Sequence, residues 1–189
     1  PHGRSIPLRF VEALARFARV PLCVGGGITS LEEIHDLLAL GVEKVALSTV
    51  LRRDFAFLQK AAERFGSSTI SVVLNGFTPT SSDCEVLASA MACFGRPDRD
   101  HGGQPLLDMA LACQQAGAGE LVLNHVQRDG TCAGYAVSQL AALNRQLTIP
   151  LVALGGSGSH EHLAELLTAT PLSGVAAGSM FVYAPESRE

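Results

Sequence analysis

Short apolar runs alternate with amphipathic stretches along this chain, and several of the runs end in glycine. Ile6, Leu8, Phe10, Val11, Leu14 and Phe17 recur at largely helical spacing across residues 5–18. Residues 20–24 read as a strand. Ser30 with Glu33 forms a capping box that starts a helix running to about residue 40, where Gly41 stops it. Residues 44–47 are the next strand, and 52–65 a helix with Phe55, Leu58, Ala62 and Phe65 inward. Residues 69–74 are a strand with Asn75 at its C-terminal end. The connection 76–103 is too long for a turn and is a candidate functional loop, in which 85–87 can pair with 92–94 as a small hairpin. A helix over 105–116 is closed by Gly117, and a strand over 120–124 leads into the polar loop 125–135. Residues 137–146 are helical, 151–154 a strand, and 174–177 a last strand ending at Gly178-Ser179. Between these two strands Ser159 opens a helix with Leu163, Leu166 and Leu167 on one side.

Strand and helix in unbroken alternation predict a parallel sheet covered by helices, and the near-continuous apolar strands predict burial on both faces. Six strands fit an open doubly wound sheet. A (β/α)8 barrel accounts better for glycine-rich ends on several strands, because in that fold active groups gather where the strands end.

The chain also repeats itself. Residues 21–38 match residues 150–167 at eight of eighteen positions without a gap, including Gly-Gly, serine, glutamate and Leu-Leu. With one residue of slip, Val45-Ala46 falls on Val175-Ala176 and Ser48-Thr49 on Gly178-Ser179. The spacing is too long for a solenoid and suits a doubled half-domain. In both copies a glycine turn leads from strand to helix. Such a turn is either a plain connection or a phosphate cradle, since glycine lets backbone N–H groups approach an anion beside a helix N-terminus. Two such strand ends side by side can hold one phosphate.

Composition narrows the classes. At 189 residues the chain is read as a single domain, 1–189, with a substantial core. A net charge of −4 offers no basic footprint for nucleic acid. The longest weakly polar stretch, 173–185, is too short and glycine-containing to cross a bilayer, and no signal-peptide pattern opens the sequence. Five cysteines without a C-x-x-C pair are expected to be buried free thiols in a reducing cytoplasm, not a disulfide frame or a metal site. His125, just past a strand end, is a candidate for the site rim; His35, His160 and His162 lie on or near helix starts and are read as solvent-facing.

Val24-Gly25-Gly26-Gly27-Ile28, Lys44-Val45, Gly119-Glu120-Leu121, Arg128-Asp129-Gly130-Thr131 with Gly134-Tyr135, and Gly155-Gly156-Ser157-Gly158 together resemble the cyclase subunit of imidazole glycerol phosphate synthase. Asn124 and the ending Val175–Val182 resemble still more a paralogue of that cyclase associated with glycosyl amidation in surface-polysaccharide gene clusters. The resemblance implies an α/β (β/α)8 TIM-type barrel with half-barrel duplication, of which this chain covers about six strands. It implies a partial sequence, with roughly 55–60 residues missing at the front; the alternative is a short variant that closes by pairing with another chain.

By the same resemblance, Gly27, Ser48 and Thr49 match the site for one substrate phosphate, with Ser48 where an asparagine is usual. Asp129, Gly130, Gly156, Gly178 and Ser179 match the second phosphate site, Asp129 being assigned to a sugar hydroxyl or to loop geometry. Asn75 stands at the position of a catalytic aspartate. An amide cannot exchange a proton near neutral pH, so either catalysis is impaired or the barrel serves another task. Lys44 and Glu120 match charged gate residues at the opposite mouth, where ammonia would enter from a glutaminase partner. The implied functions are an ammonia-using cyclase with a bis-phosphorylated substrate, an ammonia-channelling barrel for glycosyl amidation, or a non-catalytic phosphate-binding scaffold for the glutaminase. None of these needs a metal or an organic cofactor.

Overall fold

The computed structural model describes residues 6–76 and 106–182. The candidate loop and hairpin within 77–103 lie outside the described residues, as do Cys84 and Cys93. The elements follow in strict alternation: α1 Leu8–Phe17, β1 Cys23–Gly25, α2 Leu31–Ala39, β2 Lys44–Leu47, α3 Ala56–Phe65, β3 Ile70–Gly76, α4 Leu106–Gln115, β4 Glu120–His125, α5 Val137–Asn144, β5 Leu151–Leu154, α6 His160–Ala169, β6 Gly174–Ala176 and α7 Ser179–Val182. The sheet has the order β1-β2-β3-β4-β5-β6. The pairs β1/β2, β2/β3, β4/β5 and β5/β6 are parallel, with Val24 opposite Val45, Val45 opposite Ile70, Leu121 opposite Leu151, and Leu154 opposite Ala176. Sequential parallel strands joined by helices are the architecture of a (β/α)8 TIM-type barrel, and the described residues supply six of its strands.

The chain divides into two compact units, residues 1–73 with 113–120 and residues 74–112 with 121–189. The core of the first is Ile34, Val45, Leu47, Leu58, Ala61 and Ile70, each at most 1% exposed. That of the second includes Leu74, Leu121, Leu151, Ala153 and Leu166, closed to the same degree.

Strand burial differs from the expectation. In β2, β4 and β5 one face is fully buried, carrying Val45 and Leu47, then Leu121, Leu123 and His125, then Leu151 and Ala153. The alternate face is only half-buried. The two-residue period assigns Lys44, Glu120 and Asn124 to that second face. β1 begins at Cys23, later than expected, because Pro21 has no N–H for the ladder. The expected helix over 52–65 is broken into a 3-10 turn at Thr49–Arg52 and α3. Its buried residues are Phe57, Leu58 and Ala61, while Phe55, Ala62 and Phe65 are half-buried. Leu167 is also turned outward, 49% exposed, leaving Leu166 as the buried residue of α6. In α1 only Val11 is buried; Phe10 and Phe17 are exposed.

The repeat is visible in the backbone. Gly26 and Gly27 have φ of 111° and 74°, and their counterparts Gly155 and Gly156 have 94° and 106°. Such values are readily adopted by glycine alone. Each turn then feeds a helix with the same brace. The Ser30 side chain accepts from Glu33 N–H, and the Glu33 carboxylate reaches back to accept from Thr29 N–H at 2.7 Å. Ser159 accepts from His162 N–H, and His162 Nδ1 accepts from Gly158 N–H at 3.2 Å.

Of the expected buried thiols, Cys113 is buried while Cys23 and Cys132 are exposed. Cys23 occupies a strand start and Cys132 a loop with φ of 57°, and both keep solvent access there. No helix among the described residues is long and apolar enough to cross a membrane.

Candidate functional site

Every predicted site residue within the described segments sits at a strand end or in the loop that follows one. In the first unit, β1 and β2 lie so close that a Cβ on Gly25 would meet Ala46 Cβ and O at 2.7 Å. Their C-terminal ends therefore bring Gly27 and Ser48-Thr49 into neighbouring turns. Ser48 is half-buried and Thr49 exposed, at the start of a 3-10 turn without a side-chain cap.

In the second unit, β5 and β6 end side by side, so Gly156 and Gly178-Ser179 follow adjacent strands. The Ser157 hydroxyl lies 3.2 Å from Met180 Sδ and ties the two turns together. Gly156 is covered by the loop after β4. Its carbonyl accepts from Gly134 N–H at 2.8 Å, and a Cβ on it would run into Gly134 O. Gly158 is likewise pressed against Cys132. Arg128 holds that loop in shape, its Nη1 donating to Gly134 O at 3.0 Å and to Ala133 O at 3.3 Å. Tyr135 OH donates to Ala176 O at 2.9 Å, anchoring the loop to β6. Gly178 faces open space, with nothing within 4 Å of an added Cβ.

Asp129 and Gly130 are exposed in a turn whose N–H groups, on Arg128 and Asp129, donate to His125 O. The Asp129 carboxylate has no hydrogen-bond or ion-pair partner among the described residues.

Lys44 and Glu120 are brought together. Lys44 Nζ lies 2.6 Å from Glu120 Oε2, at the N-terminal ends of β2 and β4. Cys23, the register partner of Lys44, sits beside them. Its thiol is pushed up by desolvation first and by the Glu120 carboxylate second, with Lys44 opposing.

Asn75 is also joined to a partner that sequence reasoning gave no role. Asn124 Nδ2 donates to Asn75 Oδ1 at 3.1 Å, each residue being the penultimate one of its strand. Asn124 stood in the sequence as a polar residue closing an apolar strand, but its partner depends on strand register, which no local pattern carries. His125, the next residue, alternates to the buried face with Leu121 and Leu123 and is 6% exposed. It therefore points away from the face that carries Asn124. Its imidazole is held below the ordinary range, first by burial and then by Arg128, while hydrogen bonds to its own backbone and to Gln139 oppose this.

The chain matches the family described as histidine biosynthesis protein across residues 1–186. It is 33% identical over 183 residues to the imidazole glycerol phosphate synthase subunit HisF of Xylella fastidiosa strain 9a5c, covering 96% of this chain and 69% of that protein. A Leptospira borgpetersenii protein provisionally given the same subunit name is 33% identical over 181 residues, with the same two coverages.

Proposed function

The chain belongs to the histidine biosynthesis protein family, and from that premise we propose that it is a cyclase-type barrel subunit that uses ammonia from a glutaminase partner. The observation that carries this reading is the repeated glycine turn, with paired positive φ values at Gly26-Gly27 and Gly155-Gly156, at the C-terminal ends of β1 and β5. Gly27, Ser48 and Thr49 would take one phosphate of a bis-phosphorylated substrate. Gly130, Gly156, Gly178 and Ser179 would take the other, each through main-chain donors and short hydroxyls that need no charge of their own. Asp129 would contact a sugar hydroxyl, and Lys44 with Glu120 would form the ammonia gate.

Ammonia is neutral and small, so an ion pair at the entrance can pass it while turning away charged solutes. The nucleophile then meets the substrate at the strand ends. In the cyclase reaction a phosphoribulosyl aminoimidazole-carboxamide ribonucleotide and ammonia become imidazole glycerol phosphate and the aminoimidazole-carboxamide ribonucleotide, with loss of one water. Asn75 cannot move a proton in that sequence, so its part is to hold and orient. Turnover of that ribonucleotide with ammonium salts at high pH tests the proposal. Release of imidazole glycerol phosphate supports it, and binding without turnover rejects cyclase chemistry.

Asn75 itself favours a second reading. A barrel that needs no proton transfer at this position suits delivery of ammonia to a separate amidotransferase acting on a surface-polysaccharide sugar. In that case ammonia passes through unchanged, and the ribonucleotide is left intact. A scaffold that only binds phosphate and stabilises the glutaminase would give neither turnover nor ammonia transfer.

A further inference from the structure

Asn75 and Asn124 form a donor–acceptor unit whose remaining valences point to one kind of ligand group. A primary amide has two N–H donors and one carbonyl acceptor. Asn75 Oδ1 is taken by Asn124 Nδ2, while its own N–H groups have no acceptor among the described residues. Asn124 Oδ1 is buried and accepts from none of those residues. Gly155 closes over it, since a Cβ there would lie 3.0 Å from that oxygen and 2.8 Å from His125 O. Asn124 is thus the donor and Asn75 the acceptor of this bond.

We propose that Asn124 is a positioning residue that holds Asn75 as an uncharged hydrogen-bond donor, and that Asn75 selects an acceptor oxygen of the ligand, a carbonyl or hydroxyl. This rests on the cyclase-type reading and names the ligand class at that point of the site: a phosphorylated sugar derivative contacted through a neutral oxygen. A carboxylate at position 75 would accept from Asn124 equally well. Once ionised it would offer the ligand no donor.

The test measures binding of the phosphoribulosyl aminoimidazole-carboxamide ribonucleotide to the full chain by calorimetry from about pH 4 to about pH 8. Affinities are read as the ratio of variant to wild type at each pH, so that the ligand's own ionisation cancels. Asn75→Leu is expected to lose about tenfold at every pH, the value of one neutral hydrogen bond. Asn75→Asp should bind nearly as wild type while its carboxyl is protonated, and lose about tenfold or more once it ionises. Adding Asn124→Ala removes a donor that favours the ionised form, so the midpoint of that loss should rise by about one pH unit. A flat ratio for Asn75→Asp overturns the donor role. An unchanged midpoint in the double variant overturns the positioning role. If wild type fails to bind this ribonucleotide, the cyclase-type reading and the ligand class fall together. Carbon-13 titration of the introduced carboxyl, which needs no ligand, then still decides the part played by Asn124.

Discussion

Lys44 Nζ and Glu120 Oε2 are 2.6 Å apart, although the two residues are 76 positions apart in the chain. Each opens a strand, and each is on the half-buried face of its strand. Reversing either charge places two like charges in contact, and if the proposed gate holds this costs affinity for the glutaminase partner more than it costs the fold. Glutamine-dependent activity of the assembled enzyme should drop at least about tenfold for Lys44→Glu or Glu120→Lys. Activity with free ammonium salts should fall far less. Equal losses in the two assays would remove the gate.

Gly156 and Gly178 should respond oppositely to the same added methyl. At Gly156 an alanine meets Gly134 O and must hold φ near 106°, so Gly156→Ala should destabilise by about 2 kcal/mol or more and lower the melting temperature by roughly 5 °C. Gly178→Ala meets no neighbour and should leave melting within about 1 °C while weakening phosphate binding. Thermal unfolding with calorimetric titration of the ribonucleotide separates the two.

His125 should make the fold sensitive to mild acid. An unfolded histidine takes up its proton near pH 6.5, whereas burial and Arg128 delay that uptake in the native state. As pH falls through that value the unfolded chain binds more protons than the folded one. Stability is therefore full above it and declines below, with a slope of up to about 1.4 kcal/mol per pH unit. His125→Gln should flatten urea-denaturation midpoints over the same interval. An unchanged slope would mean that another group titrates.

Three thiols should differ sharply in reactivity. Cys113 is closed to solvent and its thiol is pushed up to about 12 by burial, so alkylation should wait for unfolding. Cys132 is exposed and should be modified first. Cys23 should follow more slowly, because desolvation and the Glu120 carboxylate disfavour its thiolate. Peptide mapping after timed iodoacetamide treatment reads the order.

Element order was legible because periodicity is local: the capping box at Ser30 and Glu33 and the glycine turns mark their own boundaries. Which side of a helix is covered is not local. Phe17 fits the apolar spacing of α1 yet is 84% exposed, because spacing says which residues share a face and nothing of what packs on it. The Asn75–Asn124 bond was illegible for the same reason. Each asparagine announces a strand end, and only strand alignment joins them. Gly156 was expected as a phosphate donor; its use as a seat for the Gly134 backbone depends on a loop whose path the repeat does not encode.

The repeated brace has one further consequence. Glu33 and His162 occupy matching places in the two copies, and each captures the N–H four residues before it. The Glu33 carboxylate gathers three donors on one oxygen, from Thr29 N–H, the Thr29 hydroxyl and Ser30 N–H. His162 Nδ1 has a single lone pair, which Gly158 N–H takes. Duplicate halves that share one architectural latch thus differ in how firmly it is tied: losing one donor leaves the Glu33 carboxylate two others, and leaves the His162 ring none.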